Sequence, residues 1–236
     1  MQITQKNQVQ QQNEQIVKQE PIYLDVVPDQ NKYIINHNKE QQIDLGKNSI
    51  LQVFPRIISE KESQELYDLL MDKCKWYQPQ YMIGGNLQYP DRKMSGITER
   101  DRQKIYRAFK QEELQYFEDF PEIKKVKEIV ENITKNKYSH VLLNYYESGK
   151  NTIGYHSDQL IPGQLVASVS LGAARKFRFQ PQKISGIQKQ YEVLLKPGSL
   201  VVFDENAGGK FFKHSIPKEM KIKEGRINLT FRNTVE

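Results

Sequence analysis

Two side chains of the kind that bind metals stand two residues apart in the stretch NYYESGKNTIGYHSDQL, where His156 and Asp158 follow a β-rich run. In a strand or its fraying end, residues i and i+2 point to the same side, so an imidazole nitrogen and a carboxylate oxygen can aim at one point. A third ligand has to come from a strand folded back beside this one, and FFKHSIP supplies His214. Two histidines and one carboxylate on one face of an ion leave three positions open, which suits a non-haem Fe(II) oxygenase. A plainer reading stands beside it. His-x-Asp arises by chance, and a lone histidine is commonly a hydrogen-bonded surface or core residue. His37 and His140, the other two of the four histidines, have no carboxylate at such a spacing and read as structural or surface residues.

The C-terminal stretch RINLTFR adds a second chemistry. Arg226, Asn228, Thr230 and Arg232 alternate with Ile227, Leu229 and Phe231, which gives one strand a polar, doubly cationic face and an apolar one. If the polar face is solvated, nothing more follows. If it points inward, two buried arginines call for an anion, and a dicarboxylate suits the bidentate guanidinium fork.

With these residues in view, NYYESGKNTIGYHSD, LVASVSLGAARKFRF, KPGSLVVFDENAGGKFFKHSIPKE and RINLTFR resemble consecutive core motifs of the AlkB-like iron(II)/2-oxoglutarate dioxygenases. The resemblance runs in order from about Ser139 to Arg232, with a weaker fit back to about Ile50. It implies that His156, Asp158 and His214 hold Fe(II). It also implies that Arg226 pairs with the far carboxylate of 2-oxoglutarate, helped by Asn144 and Tyr146, while Thr230 and Arg232 lie near its metal-side end. Asn228 is expected to hydrogen-bond between strands. The implied chemistry uses O2 to hydroxylate a C–H bond, typically an N-alkyl carbon on a nucleobase in DNA or RNA, as the cosubstrate becomes succinate and CO2.

The segment YPDRKMSGI resembles the nucleotide-recognition segment of that family, with Asp91 interrupting the expected Pro-Arg. Arg92 and Lys93 are expected to meet phosphates, and Tyr89 or Tyr106 to stack on an extruded base. The same residues also fit a solvated surface loop. After the His-x-Asp motif the nucleic-acid dealkylases carry acidic residues, whereas this chain has Gln159 and Leu160. Gln159 can hydrogen-bond a base edge but cannot complement a cationic base. Two alternatives stay open: the same oxygenase chemistry on a neutral modified base, a protein or a small molecule, and a non-catalytic nucleic-acid-binding module.

These residues need a scaffold. ILQVFPRIIS reads as a strand broken at Pro55, and SEKESQELYDLLMDK as a helix with Ser59 and Glu62 at capping-box spacing. A second helix is expected from Pro121 to Lys135, with Ile123, Val126, Ile129, Val130 and Ile133 on one face. Both helices are expected to pack on one side of a sheet. Between them, residues 81–120 read as a long irregular lid with Gly84-Gly85 as a flexible joint. From Ser139 the pattern changes to short β runs separated by Ser-Gly, Pro-Gly and Gly-Gly turns. Helices followed by strands predict an α+β domain, a double-stranded β-helix (jelly-roll) core with flanking N-terminal helices.

Residues 1–48 are rich in Gln, Asn and Lys and predict a largely disordered tail ahead of one catalytic domain over 49–236. The tail's short apolar patches PIYLDVV and KYIIN are expected either to pack on the domain or to dock a protein partner. The lone Cys74 excludes an intrachain disulfide, and no leader or membrane span is apparent, so nucleus or cytoplasm is expected and no membrane. A formal charge of +6 is compatible with a nucleic-acid substrate and equally with a lysine-rich solvated surface. A monomer is expected.

Overall fold

The computed structural model describes residues 31–100, 109, 113–160 and 162–233. Its first half contains β1 (Lys32–Ile35), β2 (Gln41–Asp44), β3 (Ile50–Phe54), α1 (Glu60–Lys73), β4 (Tyr81–Ile83), β5 (Asn86–Gln88), β6 (Lys93–Thr98), β7 (Leu114–Tyr116) and α2 (Pro121–Thr134). The second half is β: β8 (His140–Tyr146), β9 (Ile153–His156), β10 (Leu165–Gly172), β11 (Arg175–Pro181), β12 (Gln190–Leu195), β13 (Leu200–Asp204), β14 (Phe212–Ile216) and β15 (Arg226–Arg232). Eight strands form a major sheet in the order β2-β3-β13-β10-β15-β8-β6-β7, and five form a minor sheet in the order β1-β12-β11-β14-β9.

Alternation along the central strands decides the layering. In β8, β10 and β15 one set of residues, among them Leu143, Val169 and Leu229, joins Leu66 and Leu70 of α1 and Ile123, Val126 and Val130 of α2 in one apolar cluster. On the opposite face Tyr146 and Val166 join Phe177, Phe179 and Phe212 of the minor sheet in a second cluster. Helices, major sheet and minor sheet are therefore three layers, and the expected α+β jelly roll is what forms.

Local chemistry sets the helix ends. The Ser59 side chain accepts from the Glu62 backbone while the Glu62 carboxylate accepts from the Ser59 N–H, the reciprocal capping box. Pro121 occupies the first turn of α2, and Lys135 ends it in the left-handed region at φ 52°. Among the described residues no helix is long and apolar enough to cross a membrane.

Two expectations are corrected. Regular structure begins before Ser49: β1 pairs in parallel with β12, and β2 pairs with β3. The sequence hid β2 because its inward positions are Gln41 and Ile43, and a glutamine does not read as core. Here the Gln41 amide donates to the Asn36 carbonyl, which satisfies it on burial. The tail before residue 31 lies outside the described residues. Nor are the described residues of the expected lid irregular where they run from Tyr81 to Thr98; residues 101–108 and 110–112 of it lie outside the described residues. Gly84 and Gly85, at φ +58° and +81°, form the two-residue turn of the β4–β5 hairpin rather than a joint. Residues 93–98 are a buried strand of the major sheet beside β8. Ser95 and Gly96 resemble loop residues, yet a Cβ at Gly96 would collide with the Phe109 ring, and Ser95 accepts from Gln115 at 2.6 Å. They are small because something packs on them.

Candidate active site

β9 and β14 lie side by side with His156 directly opposite His214, so the register alone brings the two imidazoles together at a ring separation of 4.3 Å. Asp158 follows two residues on, held by its backbone. Its N–H donates to the Gly208 carbonyl at 2.8 Å, and a Cβ at Gly209 would strike the Asp158 carbonyl. The five-residue π-helical turn Asn206–Lys210 is thus a cradle for the carboxylate-bearing residue. One ligand atom from each of His156, Asp158 and His214 lies within 4.8 Å of the other two.

The protonation states suit a cation. Burial pushes the His214 imidazole down to about 3 and lowers that of His156 as well. His156 Nδ1 faces the Gly154 carbonyl at 2.9 Å and must donate there, which leaves the lone pair on Nε2. Burial works to raise the Asp158 carboxyl, but the Arg232 guanidinium holds it below the usual carboxylate range. Arg232 Nη2 donates to Asp158 Oδ2 at 2.8 Å. Two neutral imidazoles and one ionised carboxylate are the form in which these side chains ligate metals.

The other end of the same cavity has an unmet charge. Arg226 is 1% exposed. Its Nη2 donates to Ser170 Oγ at 2.9 Å and Asn228 Oδ1 at 2.7 Å, but Nε and Nη1 have no hydrogen-bond partner. Among the described residues no carboxylate forms an ion pair with it, and burial pulls its guanidinium down to about 10. A buried, half-satisfied cation is costly unless an anion completes it. The cavity of about 390 Å³ between Arg226 and the His-Asp-His cluster has room for a small dicarboxylate. The residues present therefore fit both a metal ion and a dicarboxylate cosubstrate.

The structure gathers Asn144, Tyr146, Arg226, Thr230 and Arg232 around this chamber with the His-Asp-His cluster. β8 and β15 are adjacent and in register, Tyr146 opposite Arg226 and Asn144 opposite Asn228, which explains why residues 80 (226 − 146) and 84 (228 − 144) positions apart in sequence share one wall. Asn228 has the inter-strand role expected of it, accepting from Ser168 Oγ at 2.8 Å and donating to Thr230 Oγ1 at 2.5 Å. Gln159 lies exposed at the chamber wall, whereas Leu160 turns away into the apolar core between the sheets.

The recognition residues divide. Arg92 lines the chamber, where its Nε donates to Asn144 Oδ1 at 2.8 Å; the geometry gives it a partner inside the site instead of a phosphate outside it. Lys93 and Tyr89 are exposed and lie off the chamber wall. Tyr106 lies outside the described residues. Asp91 has a use that the sequence did not reveal: its Oδ1 accepts from the Thr152 N–H at 3.0 Å and its carbonyl accepts from the Asn151 amide, which ties the recognition link to the loop that leads into β9. Tyr81 at the mouth was missed. Its hydroxyl donates to Met94 Sδ at 3.2 Å, and the Gly-Gly turn between YMI and NLQ was the signal for its hairpin.

Comparison with known proteins converges on this arrangement. The family described as the 2OG-Fe(II) oxygenase superfamily matches residues 50–232. The human protein named DNA oxidative demethylase ALKBH2 is 33% identical over 120 residues, covering 48% of this chain and 46% of the human protein. Its Arabidopsis thaliana namesake is 26% identical over 226 residues, covering 84% of this chain and 70% of that one. The chain thus matches about half the length of the human relative. Among solved structures, that described as OsALKBH1 superposes with a TM-score of 0.54 at 17% identity, covering 77% of this chain and 97% of that one, a likeness of fold.

Proposed function

The chain belongs to the 2OG-Fe(II) oxygenase superfamily, and we propose that within it the chain is an oxidative dealkylase of nucleobases in DNA or RNA. The observation that carries the oxygenase half is one chamber with a metal-binding cluster at one end and a buried, incompletely paired Arg226 at the other. The nucleic-acid half is supported by the relatives named DNA oxidative demethylase and by the net charge of +6.

Bound iron, 2-oxoglutarate and O2 supply the oxidant for C–H hydroxylation, with succinate and CO2 as by-products. The chain's own residues do the placing. His156, Asp158 and His214 would hold the ion at the chamber wall. Arg226, whose Nε and Nη1 are unpaired, would bind the far carboxylate of the cosubstrate, with Tyr146 and Asn144 on the same wall. Thr230 and Arg232 stand toward the metal end, and Arg232 keeps Asp158 ionised. The apolar walls Leu142, Phe177 and Phe203 exclude water around the reacting carbon. At the mouth, Tyr81 and Gln159 are exposed and available to an extruded base. Once hydroxylated, an N-methyl group leaves as formaldehyde; the hydroxyl proton passes to the freed nitrogen where the alkylated base was neutral, and to solvent where it was a cation.

A role in DNA repair belongs to the same reading, as does a nuclear or cytoplasmic setting, which suits the free buried Cys74. The N-terminal tail is then a docking arm for a partner. The test is succinate and formaldehyde formation by purified protein with Fe(II), ascorbate and 2-oxoglutarate. Both products are expected to rise with methylated single-stranded DNA or RNA. Succinate formation indifferent to every oligonucleotide would sink the nucleic-acid half, and no succinate in any condition would sink the enzyme.

A further inference from the structure

The chamber's charges bear on which bases it accepts. Among the described residues that line it, three are guanidinium groups, Arg92, Arg226 and Arg232, and one is a carboxylate, Asp158. That carboxylate is committed, since it accepts from Arg232 at 2.8 Å and stands 3.6 Å from His214 Nε2. A divalent ion and a dianionic cosubstrate cancel one another, so the excess of positive charge from the protein remains when both are bound.

Among the described residues at the chamber mouth, Tyr81, Arg92 and Gln159, none carries a negative charge. Arg92 is fixed by its Nε bond to Asn144, which leaves its terminal nitrogens as donors. Gln159 is exposed at the wall with an amide that donates and accepts. Asp91, next to Arg92 in sequence, is engaged elsewhere: its Oδ1 accepts from the Thr152 N–H. Leu160, the next residue after Gln159, packs into the core.

Methylated bases fall into two electrostatic classes. N1-methyladenine and N3-methylcytosine are cations at neutral pH and present an exocyclic amine beside the alkylated nitrogen. N1-methylguanine and N3-methylthymine are neutral and present a carbonyl there. An arginine donor matches a carbonyl and repels a cation, as it does when it reads guanine in a groove. We propose that this chamber selects neutral, carbonyl-bearing alkylated bases, N1-methylguanine and N3-methylthymine, over the cationic pair, with Arg92 and Gln159 as the specificity-determining residues. The inference rests on the dealkylase reading above and narrows it.

The test uses the full-length protein and four single-stranded oligonucleotides of one sequence that differ only in the modified base. Formaldehyde release gives kcat/KM, and fluorescence anisotropy of the metal-free protein gives affinity without turnover. The neutral pair is expected to exceed the cationic pair by about tenfold or more in kcat/KM, with the same order in affinity. Gln159→Glu, at an exposed position where folding is not at stake, is expected to raise kcat/KM on the cationic pair by about tenfold and lower it on the neutral pair. Preference of the unaltered protein for the cationic pair overturns this inference and leaves the dealkylase standing. So does a ratio that Gln159→Glu does not move. Turnover of none of the four, with succinate still formed from 2-oxoglutarate, removes the dealkylase reading and this inference with it.

Discussion

Strand β15 has two faces that are equally hidden from water and opposite in what they do for the molecule. Ile227, Leu229 and Phe231 are 0% exposed and pack beneath α1 and α2. Arg226 and Arg232 are 1% and 9% exposed and line the chamber on the other side. Burial of each apolar side chain stabilises the fold by about 1.5–3 kcal/mol. Burial of a guanidinium with two unsatisfied nitrogens opposes folding, and the outer face must offset it. One strand therefore holds the sheet from one side and offers an unsatisfied site to a ligand from the other.

That contrast can be broken by two substitutions of similar size. Leu229→Ala on the outer face is expected to cost about 3–5 kcal/mol, because a fully buried leucine leaves a cavity that two helices and a sheet cannot collapse around. Urea denaturation measures it, and a loss below about 1 kcal/mol would mean that the helices are a loose cover. Arg226→Met on the inner face is expected to do the reverse and raise stability by about 1–4 kcal/mol while abolishing the response to cosubstrate. Thermal melting with and without 2-oxoglutarate separates the two effects. The unaltered protein gains about 2.7 kcal/mol at a ligand concentration of 100 times Kd, and the variant gains none. Equal stabilisation of both proteins by 2-oxoglutarate would remove Arg226 from the cosubstrate site.

The same contrast explains what was legible in the sequence. RINLTFR could be read because period-2 alternation and residue type agreed, and the only open point was whether its polar face was wet. His156, Asp158 and His214 could be read because strand pairing brings distant ligands together and few residue types ligate metals. Misreadings arose where a side chain's chemistry serves packing. Gln41 faces inward with its amide satisfied by a backbone carbonyl. Gly96 is small because Phe109 lies on it. Asp91 looked like an interruption of a motif, yet it fastens the link to the loop before β9. Arg92 looked like a phosphate contact, and a hydrogen bond to Asn144 turns it into the chamber. No local pattern encodes a partner 52 or 61 residues away; only the folded sheet order supplies it.

A smaller effect sharpens the comparison, because it concerns a buried charge on the outer side that is fully paired. Glu131 on α2 accepts from the Tyr138 N–H at 3.0 Å and bridges Lys127 at 3.0 Å and Lys137 at 2.7 Å, so it fastens the helix to the entry of β8. Burial works to raise its carboxyl, but Lys137, the Tyr138 N–H and Lys127 together hold it below the ordinary glutamate value. A carboxyl lowered on folding contributes stability that is present above its unfolded value, near 4.5, and is lost as pH falls through its lower folded value. Stability is thus expected to decline in that acid window. Glu131→Gln is expected to be about 1–2 kcal/mol less stable at pH 7, with the gap closing as the native glutamate becomes protonated. Denaturation midpoints across that window measure the gap, and a constant gap would assign the loss to shape instead of charge. The affinity for 2-oxoglutarate should not change, because Glu131 is on α2 and does not line the chamber that Arg226 faces. Paired and outward, a buried charge acts as a fastener; half-paired and inward, it acts as a binding site.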